Sequence, residues 1–206
     1  MPLVKSFQIN PSTSVKIWHI KESYDFLIQG INLKPESTAR LDGMKSEIHQ
    51  RGFLSVRHLL RAFGYNDSDL FYDQNGKPHL VDGKYISITH SFEYAGMIVS
   101  DQPVGIDIEK KRKKISVIAK KFIDFELLYL KEDQTYIEML TKIWCVKESL
   151  YKLHGTPGLS FKQHTLVIPF NPKHNETRAW IDFDLKKSSY QAHFTDIDGF
   201  CCVFVL

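Results

Sequence analysis

Two stretches of the sequence carry residue types that do chemistry. Residues 104 to 109 read VGIDIE, with isoleucine and acid alternating. On an extended strand successive side chains take opposite faces, so Ile106 and Ile108 point one way while Asp107 and Glu109 point the other. At a rise of about 3.4 Å per residue the two carboxylates stand roughly 7 Å apart on one face. Such a pair can converge on one hard cation, and it can equally be the solvated face of an edge strand. Residues 144 to 152, WCVKESLYK, read as helix. There Trp144, Glu148 and Lys152 share one i, i+4 stripe with Lys147 beside it. Alone, that stripe is an ion pair next to a core tryptophan. Together, strand acids and a helical acid flanked by lysines supply hard oxygen ligands for magnesium and fixed cations for phosphate oxygens, the needs of metal-assisted phosphoryl chemistry.

These residues must be held by a packed chain. The 206 residues are 43% hydrophobic and 13% aromatic, a composition that buries a substantial interior and excludes disorder. The start, MPLVKSFQIN, lacks the basic and apolar pattern of a secretory signal, and no run is apolar enough to span a bilayer, so a cytoplasmic protein is expected. Cys145, Cys201 and Cys202 fit a reducing compartment and a packing role. The net charge of +3 helps to attract an anionic partner without naming one.

The elements follow from periodicity and turn residues. LVKSFQI and VKIWHI read as strands about the turn NPSTS, and residues 35 to 63 read as one helix ended by Gly64. YISITHS and AGMIVS read as strands, VGIDIE as another, and helical segments are expected near Ile115 to Phe122 and Asp124 to Leu130. A longer helix should begin with Asp133 as its cap and stop at Gly155 within GTPG. HTLVIP, TRAWIDFDL, YQAHFT and GFCCVFVL return to strands. YISITHSFEYAGMIVS loosely resembles YQAHFTDIDGFCCVFV, which points to an α+β fold of two similar halves, residues 1–102 and 103–206, each a small mainly antiparallel sheet with packed helices.

VGIDIE followed by WCVKESLYK resembles the signature of the 4′-phosphopantetheinyl transferases, and the upstream GKP and ISITHS resemble further motifs of the larger Sfp-type branch. That branch places two halves related by a pseudo-twofold axis in one chain, which implies a monomer. The resemblance implies that Asp107, Glu109 and Glu148 bind Mg²⁺, which holds the pyrophosphate of coenzyme A. It implies that Lys147 and Lys152 neutralise phosphate charge, and that Arg51, Lys77, Thr89 and His90 contact the nucleotide end. The family carries a further acid after the metal pair, for which Glu126 is the candidate. The implied reaction moves phosphopantetheine from coenzyme A to a serine of an apo acyl or peptidyl carrier protein, releasing adenosine 3′,5′-bisphosphate, in fatty-acid, polyketide or peptide synthesis. Glu148, directly or through water, is the implied base, with Lys152 beside it.

Two rivals draw on the same stretch of sequence. Glu109 and Lys111, with Asp107 or Asp101, also resemble the acid and lysine set of a magnesium-dependent nuclease, which leaves Lys147, Glu148 and Lys152 unexplained. A non-enzymatic module could dock an acidic protein through KKRKK, residues 110 to 114, a run that otherwise reads as a solvated patch or as steering for anions. Nucleic acid is not the expected partner. The histidines show no zinc spacing, and there is no GxxxxGK[ST] loop, GxGxxG or GxSxG.

Overall fold

The two apolar runs at the start fold onto each other because Asn10 sets the turn: its Oδ1 accepts from Ser12 N at 3.0 Å. They form β1 (Leu3–Asn10) and β2 (Thr13–His19). The computed structural model describes residues 3–206, and the chain divides into two units, Met1–Gln102 and Pro103–Leu206, each with its own core.

In the first unit β5 (Tyr85–Ser91) and β6 (Tyr94–Ser100) complete an antiparallel sheet of order β1-β2-β6-β5. β6 lies between two neighbours and is buried along its whole length, which is why AGMIVS is a nearly unbroken apolar run. A short helix, α1 (Tyr24–Leu27), is capped by Ser23 Oγ, which accepts from Phe26 N at 3.4 Å. The single helix expected over residues 35 to 63 is two. α2 (Pro35–Asp42) stops at Gly43, and α3 (Glu47–Ala62) begins after Ser46. Glycine lowers the helical propensity of the intervening stretch, and Gln50 Nε2 reaches back to Met44 O at 3.0 Å to hold the break. Phe53, Leu54, Val56, Leu59 and Leu60 of α3 pack with Trp18, Ile86 and Met97 of the sheet. DQNGK, residues 73 to 77, is the loop of a small hairpin between β3 (Leu70–Tyr72) and β4 (Pro78–Leu80).

In the second unit the sheet order is β7-β11-β10-β9-β8, antiparallel throughout, from β7 (Gly105–Lys110), β8 (Thr165–Val167), β9 (Glu176–Phe183), β10 (Lys186–Ile197) and β11 (Phe200–Val205). β10 starts earlier than YQAHFT suggested, because the polar residues Lys186 to Ser189 pair with β9 across a turn at Asp184 and Leu185. The expected helices near 115 to 130 shrink to α4 (Ile115–Ile118) and the 3₁₀ turns Ala119–Lys121 and Phe125–Leu128. α5 (Tyr136–His154) begins later than Asp133, whose Oδ1 instead accepts from Thr135 N at 2.7 Å in a turn before the helix. Its end is as expected: Gly155 takes φ +69° and donates to Tyr151 O at 2.8 Å. α6 (Phe161–His164) is capped by Ser160. Leu140, Ile143, Val146 and Leu150 of α5 pack on Val203 and Val205, and all three cysteines are buried thiols.

The fold is mixed α+β with antiparallel sheets. In each unit a long helix packs against the sheet, and the two stretches that resemble each other are both hairpins closed by two-residue turns, at Phe92 and Glu93 and at Asp198 and Gly199. Among the described residues no helix is long and apolar enough to cross a membrane.

Candidate active site

β7 pairs with β11 at the end of its sheet, and α5 lies along both strands. Small residues set how closely. A Cβ on Gly105 would fall 1.9 Å from Ser149 O, an impossible approach, so glycine is what lets the helix backbone rest on the strand. Ser149 Oγ donates to Val203 O at 3.1 Å, and Cys145 lies over Cys201 O, fixing the helix against β11 as well. That contact turns Glu148 and Lys152 towards Asp107.

The strand alternation expected for VGIDIE holds, with Ile106 and Ile108 in the core and Glu109 half-buried, but Asp107 is only 5% exposed. Lys152 Nζ donates to Asp107 Oδ1 at 2.7 Å and to Ile106 O at 2.9 Å. Burial pushes the Glu148 carboxyl up to about 7, with Asp107 and Glu109 adding to the rise and Lys152 opposing it. Both strand acids therefore act on Glu148. Their hard oxygen chemistry suits magnesium, yet among the described residues no three His, Cys, Asp or Glu side chains are gathered closely enough to hold a metal as they stand. Trp144, the head of the stripe, is the aromatic anchor expected, edge-on to Phe122 at 5.0 Å and tilted against Phe161 at 5.5 Å.

Lys147 and Glu126 are placed differently from expectation. Lys147 is 0% exposed, and its Nζ donates to Glu126, Phe122 O, Phe161 O and Thr165 O at 2.8 to 3.0 Å. Glu126, also 0% exposed, accepts in addition from Val167 N at 2.9 Å and Asp124 N at 3.2 Å. A buried ammonium needs such partners. The pair ties the 3₁₀ turn of residues 125 to 128, α5 and β8 together, its ammonium and carboxylate turned to each other and to backbone groups.

The basic run divides. Lys111 Nζ is held by Asp196 Oδ1 at 2.8 Å and Glu138 Oε1 at 3.1 Å, with the fully buried Lys142 bridging the same two acids at 3.4 and 3.2 Å. This four-charge network was not legible in sequence, because its members lie on three separate elements. Lys111 therefore does not join Glu109 as a nuclease site requires. Lys110, Arg112 and Lys114 instead line a cleft of about 180 Å³ with Glu109, Ile115, Ile118, Thr141 and Trp144.

Within the first unit, Arg51 of α3 lines another cleft of about 180 Å³ with Ile20, Ile48, Phe92 and Glu93. Its Nη2 donates to Ile20 O at 3.0 Å, while its Nε is buried with no hydrogen-bond partner. The exposed His90 packs its ring on Gly52, where a Cβ would meet Cδ2 at 2.5 Å. Thr89, next to it, is 5% exposed. Lys77 sits in the β3–β4 loop; burial lowers its pKa against the pull of Asp73.

Comparison with known proteins identifies the family of the chain. A 4′-phosphopantetheinyl transferase, gsp, of Aneurinibacillus migulanus is 25% identical over 140 residues, covering 66% of this chain and 55% of the relative. The 4′-phosphopantetheinyl transferase Sfp of Bacillus subtilis (strain 168) is 30% identical over 126 residues, 56% of each chain. The chain thus spans about half the length of the curated relatives it matches. The family model described as the 4′-phosphopantetheinyl transferase superfamily matches residues 103–205, the unit in which β7 and α5 bring Asp107 and Glu148 together, and the chain belongs to that superfamily.

Proposed function

We propose that this protein transfers the 4′-phosphopantetheine group from coenzyme A to a serine of an apo acyl or peptidyl carrier protein, releasing adenosine 3′,5′-bisphosphate. The observation that carries the reading is the meeting of the two motifs, with Lys152 of α5 at 2.7 Å from Asp107 of β7. Family membership and the names of the relatives support it.

In this reading Asp107, Glu109 and Glu148 hold Mg²⁺. Bound there, the ion would supply positive charge to the pyrophosphate under attack and to the leaving phosphate. Glu148 accepts the proton of the carrier serine, directly or through water. Lys110, Arg112 and Lys114 offer cations beside Glu109, and Ile115, Ile118 and Trp144 offer apolar surface, so the cleft suits a substrate with both characters. Arg51, Lys77, Thr89 and His90 are proposed, residue by residue, as contacts to the nucleotide end of coenzyme A. Cytoplasmic action as a monomer, with the two halves alike, belongs to the same proposal. The nuclease alternative loses its lysine to Glu138 and Asp196, and the basic docking module loses the same side chain.

The test is intact-mass spectrometry of apo carrier proteins of the fatty-acid, polyketide and peptidyl classes after incubation with the protein, coenzyme A and Mg²⁺. A gain of one phosphopantetheine that disappears in Asp107→Ala and Glu148→Ala supports the transferase. No gain on any carrier with folded protein overturns it.

A further inference from the structure

Lys152 is 27% exposed at its side chain, and two of its ammonium protons are spent on β7, at Asp107 Oδ1 and Ile106 O. Asp107 is 7% exposed at its side chain, so the pair is a nearly dry charge-assisted contact rather than a surface one. A carboxylate oxygen that accepts from an ammonium at 2.7 Å cannot also bind a magnesium ion at about 2.1 Å without placing two cations against each other. The same side chain was expected to meet phosphate instead. It lies on the carboxylate.

We propose that Lys152 is the resident counter-charge of this acidic cluster, and that a divalent cation and the Lys152 ammonium exclude one another at Asp107 Oδ1. Lys152 keeps Asp107 aimed while no cation is bound. When a cation arrives, Lys152 gives up Asp107 and becomes available, one helical turn from Glu148, to the anion that arrives with the metal. Lys152 is in this sense a positioning residue for Asp107 and the gate on cation affinity. The inference rests on the reading of Asp107, Glu109 and Glu148 as metal ligands.

The test is Mn²⁺ binding to the full chain without coenzyme A, followed by electron paramagnetic resonance of the free ion, for the wild type, Lys152→Met, Lys152→Arg and Asp107→Ala. Removing the competitor should tighten Mn²⁺ binding by about tenfold in Lys152→Met, the scale of one charge-assisted hydrogen bond, while Lys152→Arg stays near wild type and Asp107→Ala loses binding. Side-chain NMR gives a second readout that needs no variant: the Lys152 ammonium signal should be protected from exchange in the chelated protein and lose that protection on adding Mg²⁺. Binding that is unchanged or weaker in Lys152→Met, with wild-type binding intact, overturns the competition and leaves the metal site standing. No Mn²⁺ binding in the wild type overturns the metal site and the competition with it.

Discussion

At the scale of single residues, charge burial separates groups that look alike in sequence. Lys147 and Lys152 flank the same glutamate in WCVKESLYK, yet the first is enclosed with Glu126 and the second faces Asp107. Removing one member of a buried ion pair leaves the other uncompensated, at a cost of about 3–5 kcal/mol. Lys147→Ala should therefore lower the urea midpoint sharply, and Lys147→Met with Glu126→Leu should recover only part of the loss, because Phe122 O, Phe161 O, Thr165 O and Val167 N then lose their partners. A Lys147→Ala protein of normal stability with a raised KM for coenzyme A would instead return Lys147 to the phosphate. Glu148 gives the pH dependence. Its carboxyl is raised from 4.5 to about 7 in the fold, so the folded state holds a proton that the unfolded state has released. The stability it contributes is present below 4.5 and lost as pH rises through about 7. In chelator, the wild-type thermal midpoint should fall across that window relative to Glu148→Gln, and parallel curves for the two proteins would show that neither burial nor the neighbouring acids raise this carboxyl.

At the scale of elements, the contact that makes the site is between two backbones. With Ser149 O in the way of any Cβ at position 105, Gly105→Ala must push α5 off β7, since a helix carbonyl cannot swing aside as a side-chain tip can. Overpacking of this kind costs about 1–3 kcal/mol or more. The variant should lose stability and, at temperatures where it remains folded by circular dichroism, lose transfer activity by separating Glu148 from Asp107. Retained activity in a folded Gly105→Ala protein would mean that the site tolerates the shift. A glycine inside VGIDIE was the one sequence signal of this approach, because strand interiors rarely use it otherwise. The strand itself was legible from alternation, and α5 from its length and its stop at Gly155. The break between α2 and α3 was not, since apolar spacing continues across Gly43. Nor was the burial of Lys142 and Lys147, because α5 is packed on most of its circumference and periodicity marks no polar face for them.

At the scale of the whole molecule, the sequence disclosed the α+β architecture through local patterning, and which motifs would meet through the resemblance of VGIDIE and WCVKESLYK to one family. It could not disclose which cations are spent inside the fold, because that depends on acids far away in sequence. Lys111 is one, held by Glu138 and Asp196, and Lys110 lies 5.2 Å over the Phe200 ring. Arg112, Lys113 and Lys114 stay exposed, on a chain whose net charge is +3. Exposed charges act over a screening length of about 10 Å at 0.1 M salt and about 3 Å at 1 M. If these three cations steer an anionic substrate to the cleft beside Glu109, salt acts on encounter and leaves the chemistry alone. Raising salt from about 0.05 to about 0.5 M should then lower kcat/KM for the transfer several-fold while kcat changes little, and the triple change of Arg112, Lys113 and Lys114 to Gln should start low and lose the salt dependence. A kcat that falls in step with kcat/KM would place the effect of salt on the acidic cluster itself, and the basic run would be no more than a solvated surface.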